Sequence, residues 1–440
     1  MNGRRWLAGL ALLAAVTVAG AGCASVTSRG RPDSAPRPPL LPGLDTSIVT
    51  SGGSWAVAVL GGSAAADNNF WQLFARPAGS AAWRLVTPPG VASNGGLVAA
   101  SPGGRSLVAA FRPSQDLVFS PLASTGDDGA SWSSGVLDAG LADTPGALAA
   151  SPGGGRLLAL LSGGEIEQAG RGAANWSALT SLRSLAASAP GRRCGPAELT
   201  AVAFTPAGTP LAAGACARAG VSGLFSYTPG TTGVWHAAGP ALPAAVAGRP
   251  VRVLRLTSTA AGEVALLAAG TGASTGAATD LLACWRGDSG RWTVSAPLAL
   301  ADVPAGTVRA AGFSAAGGVW VLLGNGQADM IARQGAAWQP LPLPPSHTTL
   351  LAFAPATTST TGHTSTGHSS TGHSSTGHTS TGHSGTSHSG TSHSGNGAAA
   401  GGMQALGTFG SKLTVWSLTG SGGWRRVQTV NVPVQYGSSG

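Results

Sequence analysis

A chain of 440 residues with 69 Gly, 29 Pro and only 9% charged residues can bury a large core, and its composition suits short strands and tight turns better than disorder. The formal charge is +9, yet the 25 basic residues are scattered, apart from pairs such as Arg192-Arg193 and Arg425-Arg426. A nucleic-acid surface needs its cations gathered on one element with reader side chains among them, so no nucleic-acid partner is expected.

Residues 1–22 have the layout of an export signal. Arg4 and Arg5 precede an apolar run from Trp6 to Val18, and Ala19-Gly20-Ala21-Gly22 leads into Cys23. The run is short for a membrane span. A cysteine directly after small residues resembles the lipobox of bacterial lipoproteins, with Gly20 where Leu is usual. That resemblance implies a lipid anchor: the Cys23 thiol receives diacylglycerol and holds the domain at the outer face of the bacterial cell membrane. An ordinary secretory signal or an uncleaved anchor would export the chain as well. Residues 23–44, rich in Pro, Ser and Arg, read as an extended tether.

From residue 45 to 434 one grammar recurs seven times: an apolar strand, a turn of Ser, Pro, Gly or Ala, two more strands, a hairpin and a tryptophan. The tryptophans are Trp83, Trp132, Trp176, Trp235, Trp292, Trp338 and Trp424. The first copy keeps strands over Trp55–Leu60 and Phe70–Phe74. The second predicts strands over Leu97–Ala100, Ser106–Phe111 and Asp116–Ser120, with the turn Ser101-Pro102-Gly103-Gly104. The third repeats it over Ala147–Ala150, Arg156–Leu161 and Glu165–Gln168. Later copies carry Ala201–Phe204, then Val253–Leu256 with Val264–Ala268 and Leu281–Trp285, then Ala310–Phe313 with Val319–Leu323. The seventh carries Leu350–Phe353 and Met403–Phe409, and residues 435–440 form a tail.

Strands this apolar, broken by Gly and Pro every ten residues or so, are buried on both faces. Sheets stacked around an axis supply that burial, because each packs against two neighbours. A two-sheet sandwich would alternate polar and apolar residues, and helical repeats do not tolerate so much Gly and Pro. The expected fold is therefore all-β: a seven-bladed β-propeller, with each Trp starting an outer strand and filling the wedge between blades. Whether residues 428–434 or the segment near Leu44 completes the last sheet is left open.

Thr125, Asp127, Gly129, Ser131 and Trp132 match the pattern Ser/Thr-x-Asp-x-Gly-x-Thr/Ser-Trp at every position. The chain thus resembles the Asp-box, or BNR-repeat, β-propellers, the superfamily that includes sialidases. In that family the box is structural and lies away from the active site, so the resemblance implies a fold. Sialidases also need three arginines for the substrate carboxylate, a Tyr nucleophile with its Glu, and an Asp acid/base. This chain has only Tyr227 and Tyr436. Phe111-Arg112-Pro113 resembles the family's Phe/Tyr-Arg-Ile-Pro element without its Ile, and stands in the second repeat. Glu165 and Glu167 share a strand face, as residues of a solvated edge strand also would. Two placed carboxylates or a Tyr/Glu pair are not legible, so a non-catalytic member is expected, with a sialidase-like glycoside hydrolase as the alternative.

Residues 357–401 interrupt the last repeat with a Ser/Thr/Gly/His tract in which His363, His368, His373, His378, His383, His388 and His393 fall five apart. Such composition cannot bury a core and is expected to be disordered. Several imidazoles on one loop could capture Zn²⁺, Ni²⁺ or Cu²⁺, which makes a metal-binding lipoprotein a further alternative. Expansion of a tandem repeat in a tolerant surface loop gives the same sequence. Of the remaining cysteines, Cys194 and Cys216 are nearer in sequence to each other than to Cys284, and an odd count leaves one thiol over. No metal site or cofactor is assigned. The expected function is a monomeric, membrane-anchored module that binds or scaffolds an unidentified protein or glycan.

Overall fold

The computed structural model describes residues 47–50, 53–61, 69–89, 96–112, 119–137, 145–173, 175–230, 233–259, 262–270, 278–287, 289–301, 303, 308–345, 349–355 and 402–433. These residues form seven antiparallel meanders in chain order. The first meander pairs Ser47–Thr50, Gly53–Gly61, Asn69–Pro77 and Arg84–Leu85, and the second Leu97–Gly103, Ser106–Phe111, Ser120–Thr125 and Ser133–Leu137. Ala147–Ala150, Arg156–Leu160, Glu165–Gly170 and Trp176–Ser181 make the third; Pro196–Phe204, Pro210–Cys216, Leu224–Thr228 and Val234–Ala237 the fourth. The fifth has Val251–Thr259, Gly262–Gly270, Ala278–Arg286 and Trp292–Val294, with Leu298–Ala299 added to its third strand. Val308–Phe313, Val319–Leu323, Ala328–Ile331 and Gln339–Pro340 form the sixth, and Thr349–Pro355, Met403–Phe409, Lys412–Leu418 and Trp424–Asn431 the seventh.

The first strand of each meander lies beside the first strand of the next, and Thr349–Pro355 of the last lies beside Ser47–Thr50 of the first. Sheets radiating from such a ring of inner strands are the architecture of a β-propeller. The core follows the same plan. Leu157 packs towards the second meander and Leu158 towards the fourth; Leu266 packs towards the sixth and Leu267 towards the fourth. Alternate residues of one strand therefore serve opposite neighbours, and both faces of a sheet must be apolar. One cluster, with Trp320, Phe353, Leu406, Phe74 and Trp83, spans the sixth, seventh and first meanders.

The recurring first turn has a simple cause. A Ser or Thr ends the inner strand, and its hydroxyl accepts a backbone N–H from the start of the next strand. The bonds are Arg156 N to Ser151 Oγ at 2.8 Å, Thr209 N to Thr205 Oγ1 at 2.9 Å and Gly318 N to Ser314 Oγ at 2.8 Å. Such side-chain capping selects Ser and Thr at turns.

Three features differ from the sequence reading. The third strand of the second meander is Ser120–Thr125, later than the expected Asp116–Ser120, because the hydrogen-bonded hairpin that begins at Thr125 fixes its end. The fourth and fifth meanders are one nine-stranded sheet, joined where Ala215 pairs with Arg252. Two short helices, Leu182–Ala187 and Ala189–Cys194, connect the third and fourth meanders. Six residues are too few to show a 3.6-residue period. Their Ser181 and Ser188 caps accept from Ser184 N and Gly191 N. A Cβ on Gly191 would stand 1.8 Å from Leu185 O, so only glycine fits there. Cys194, ending the second helix, is disulfide-bonded to Cys216, and Cys284 is a buried free thiol. No helix among the described residues is long and apolar enough to cross a membrane.

Candidate functional site: the mouth of the central channel

The C-terminal ends of the inner strands of the second to sixth meanders, with their first turns, enclose a cavity of about 370 Å³. Its wall is built mostly of small side chains, among them Ala99, Ala149, Ala201 and Ala203, so little projects into the axis. Inner strands are the narrowest part of each sheet wedge, and small residues are what lets them approach one another. Four consecutive inner strands also bulge at the same place: between Leu199 and Ala201, Val253 and Arg255, Val308 and Ala310, and Leu350 and Ala352. A bulge bends the strand and turns the extra residue out of the ladder.

Arg255, from the bulged stretch of the fifth meander, is the one charged side chain in the cavity's lining. It is 5% exposed, and its Nη1 donates to Leu254 O at 2.9 Å. No carboxylate, histidine, tyrosine or cysteine lines the cavity among the described residues. Several of its hydroxyls serve the backbone. Thr200 Oγ1 donates to Val253 O at 2.6 Å, and the Ser258 hydroxyl donates to Phe204 O. These two bonds lace the inner strands of the fourth and fifth meanders together. Ser101 Oγ donates to Ser106 O at 2.7 Å. At the opposite end of the same strands Arg252 pairs with Glu198. An arrangement of this kind can hold a ligand but presents no general acid/base pair.

Residues 125–132 form the hairpin between the third and fourth strands of the second meander. Asp127 accepts from Ser131 Oγ at 2.5 Å, Ser131 N at 2.9 Å and Thr125 Oγ1 at 2.7 Å. Gly129 N donates to Thr125 Oγ1 at 3.0 Å. Gly129 has φ +79°, and a Cβ there would stand 2.7 Å from the Val86 side chain of the first meander. The Ser131 hydroxyl and amide, then the Thr125 hydroxyl, hold the Asp127 carboxyl well below the usual carboxylate range. Next to it, Asp128 is buried, adopts φ 61°, and bonds Arg105 Nε at 2.6 Å. Thr125, Asp127, Gly129 and Ser131 are thus drawn into one closed hairpin.

All seven tryptophans stand at the start of a fourth strand, one per meander. Trp83 and Trp235 are buried, whereas Trp132, Trp176, Trp292, Trp338 and Trp424 are half-buried. Wedge filling alone does not describe them. Trp292 Nε1 donates to Ala238 O at 2.6 Å, Trp338 Nε1 to Ala296 O at 3.1 Å and Trp424 Nε1 to Pro342 O at 2.8 Å. Each acceptor lies just past the outermost strand of the preceding meander. Trp83 Nε1 continues the series onto the seventh meander, at Gln404 Oε1, 2.9 Å. The indole is a polar staple as well as apolar filling. Trp176 departs from the pattern and bonds Ala173 O of its own hairpin at 3.0 Å.

Arg112 and Glu165 are exposed, Glu167 is half-buried, and none of them lines the cavity. Tyr227 packs against Trp235 with the ring centroids 5.1 Å apart and the planes tilted by 51°. Cys23, Tyr436 and His363, His368, His373, His378, His383, His388 and His393 lie outside the described residues. Among the described residues no three His, Cys, Asp or Glu side chains gather as metal ligands. Arg255, Arg76, Gln404 and Gln428 belong to no motif in the sequence. The available signal was a charged or amide residue inside an otherwise apolar strand.

No protein-family model and no curated protein matches the chain. Among solved structures it is similar to YCF48 bound to D1 peptide, at 16% identity and a TM-score of 0.38, over 67% of this chain and 84% of that one. A protein from Lactobacillus plantarum is 11% identical with a TM-score of 0.48, over 87% and 97% of the two chains. The periplasmic gluconolactonase PpgL of Pseudomonas aeruginosa is 17% identical with a TM-score of 0.47, over 86% and 96%.

Proposed function

We propose that the chain is an exported, lipid-anchored, seven-bladed β-propeller of the Asp-box type that binds a protein partner at the mouth of its channel and performs no chemistry on it. The observation that carries this reading is the cavity itself. Inner strands of five meanders and their first turns build it, and it lacks an acid/base pair among its lining residues. A rigid ring of sheets presenting a cleft in this way is suited to recognition. The Asp-box supports the fold rather than the site, because its carboxylate is engaged within its own hairpin.

Site-specific photo-crosslinking in cells tests it. A photoreactive side chain in place of Thr257, in the cavity wall, should trap one defined protein, and the same group in place of Arg425, on the outer strand of the seventh meander, should not. Equal labelling from both positions, or none from Thr257, would overturn the reading. The anchor is tested separately: Cys23→Ala should move the protein from the membrane fraction to the soluble one.

A further inference from the structure

We infer that the end of the ring opposite the channel mouth is a docking surface for an anionic phospholipid bilayer, so that the mouth faces away from the membrane. The inference rests on the proposed anchoring and adds an orientation to it.

The first ground is where the chain enters. The inner strand of the first meander begins at Ser47, so the segment carrying Cys23 joins the ring at the starts of the inner strands, the end away from the cavity. The second ground is a platform of arginines at that same end. Arg183 lies in the helix Leu182–Ala187, and Arg192 and Arg193 in the last turn of the helix Ala189–Cys194. Arg218 lies in the hairpin between the second and third strands of the fourth meander. All four are exposed. Arg218 N donates to Cys194 O at 3.1 Å, and Cys194 is disulfide-bonded to Cys216. Leu182 N donates to Gly164 O at 2.8 Å, in the matching hairpin of the third meander. These hairpins lie at the end of each sheet where the inner strand starts, which fixes the side of the ring that carries the arginines. Glu198 is paired with Arg252, and Glu165, opposite Ser181, is the exposed acid beside the platform. Apart from Glu198, the sequence has no acidic residue between Glu167 and Glu263. Clustered guanidinium groups suit phosphate oxygens, which accept their N–H bonds in pairs.

The third ground lies across the ring. Phe409 is 62% exposed at the hairpin that it forms with Lys412 in the seventh meander, and Lys412 is exposed as well. Two meanders separate this hairpin from the arginine platform in either direction around the ring, and the inner strand of its own meander lies beside Ser47–Thr50. An apolar side chain next to a cation settles at a headgroup boundary. Contacts on opposite sides of a ring fix its plane against a flat surface, which a single tether does not do. An acidic protein seated on the arginines would have no use for Phe409 on the far side.

Co-sedimentation of the full chain carrying Cys23→Ala with vesicles tests it. On equimolar phosphatidylglycerol–phosphatidylcholine vesicles, Arg183→Gln, Arg193→Gln and Arg218→Gln together should weaken binding on the order of 100-fold. Arg192 stays, because its side chain donates to Ala187 O. Arg171→Gln, Arg425→Gln and Arg426→Gln together remove the same charge from exposed positions elsewhere on the ring and should weaken binding far less. Phe409→Ser is a second route that leaves the arginines alone and should cost about tenfold. High salt should erase the difference between the parent and the platform variant. A platform loss no larger than the control loss, an unchanged Phe409→Ser, or equal binding of the parent to pure phosphatidylcholine vesicles would overturn the inference. In cells, a photoreactive side chain in place of Ala219, next to Arg218, should trap lipid. A protein trapped there instead would identify an acidic partner and overturn the membrane as occupant. If the platform fails while Cys23→Ala still releases the protein, only the docking surface falls. If the platform binds and the Cys23→Ala protein stays on salt-washed membranes, only the anchor reading falls.

Discussion

Gln428 and Trp83 exchange two hydrogen bonds across the junction between the last meander and the first. Trp83 N donates to Gln428 Oε1 at 2.8 Å, and Gln428 Nε2 donates to Trp83 O at 2.7 Å. The side-chain amide thereby imitates a neighbouring strand, although the two residues are 345 positions apart. Behind them Arg76 donates to Gln404 Oε1 at 2.6 Å and Ser54 Oγ at 2.9 Å, and lies 5.3 Å over the Trp83 ring. Burial pushes its guanidinium down to about 10, so it stays charged at neutral pH. Among the described residues, neither end of the chain lends a strand to the other's sheet. Trp424–Asn431 is the seventh meander's own fourth strand, and the ring is closed by this clasp and the shared apolar cluster.

Gln428→Leu keeps the side-chain volume and removes both bonds, leaving the Trp83 backbone groups without their partner. The expected cost is about 2 kcal/mol. It is measured as a fall in the guanidinium unfolding midpoint, together with faster amide exchange at Trp83. An unchanged midpoint would mean that apolar contacts close the ring unaided.

The staple and filling roles of the tryptophans separate by substitution. Trp292→Phe retains a ring but loses the donor to Ala238 O, which should cost about 1 kcal/mol. Trp235→Ala empties a buried site and should cost about 3–5 kcal/mol. Trp132→Ala should cost less than Trp235→Ala, since Trp132 is half-exposed. Thermal unfolding of the three variants gives the order directly.

Asp127→Asn tests the hairpin through pH. The folded carboxyl titrates below its unfolded value of about 3.9. Its contribution is therefore complete above that value and is lost as pH falls through the folded one. Urea midpoints should place Asp127→Asn below the parent at neutral pH, with the gap narrowing below about pH 4. A gap that stayed constant into acid would exclude the carboxylate as its source.

The cysteines divide by environment. Cys194 and Cys216 close a loop across 22 positions, so replacing both with Ala should lower stability by about 3 kcal/mol. Reductant should shift the parent by a similar amount and leave the double variant unmoved. Burial pushes the Cys284 thiol up, away from thiolate. A maleimide should leave it unlabelled in the folded chain and label it once guanidinium unfolds the protein.

Read in order, the sequence was sufficient for what depends on local pattern. Turn residues such as Ser151 and Ser314, the apolar strands, the hairpin from Thr125 to Trp132 and the Trp at each fourth strand are all set by near neighbours in sequence. Hairpins are local objects, and their residue requirements show in any one copy. What only the tertiary structure decided joins residues far apart. Gln428 meets Trp83 because the ring returns on itself, Trp292 reaches Ala238 because sheets stack, and Arg255 faces a cavity because five inner strands converge. No periodicity encodes those meetings. An arginine in an apolar strand looks the same in sequence whether it clasps a seam, as Arg76 does, or lines a channel, as Arg255 does. Packing around the axis makes the difference.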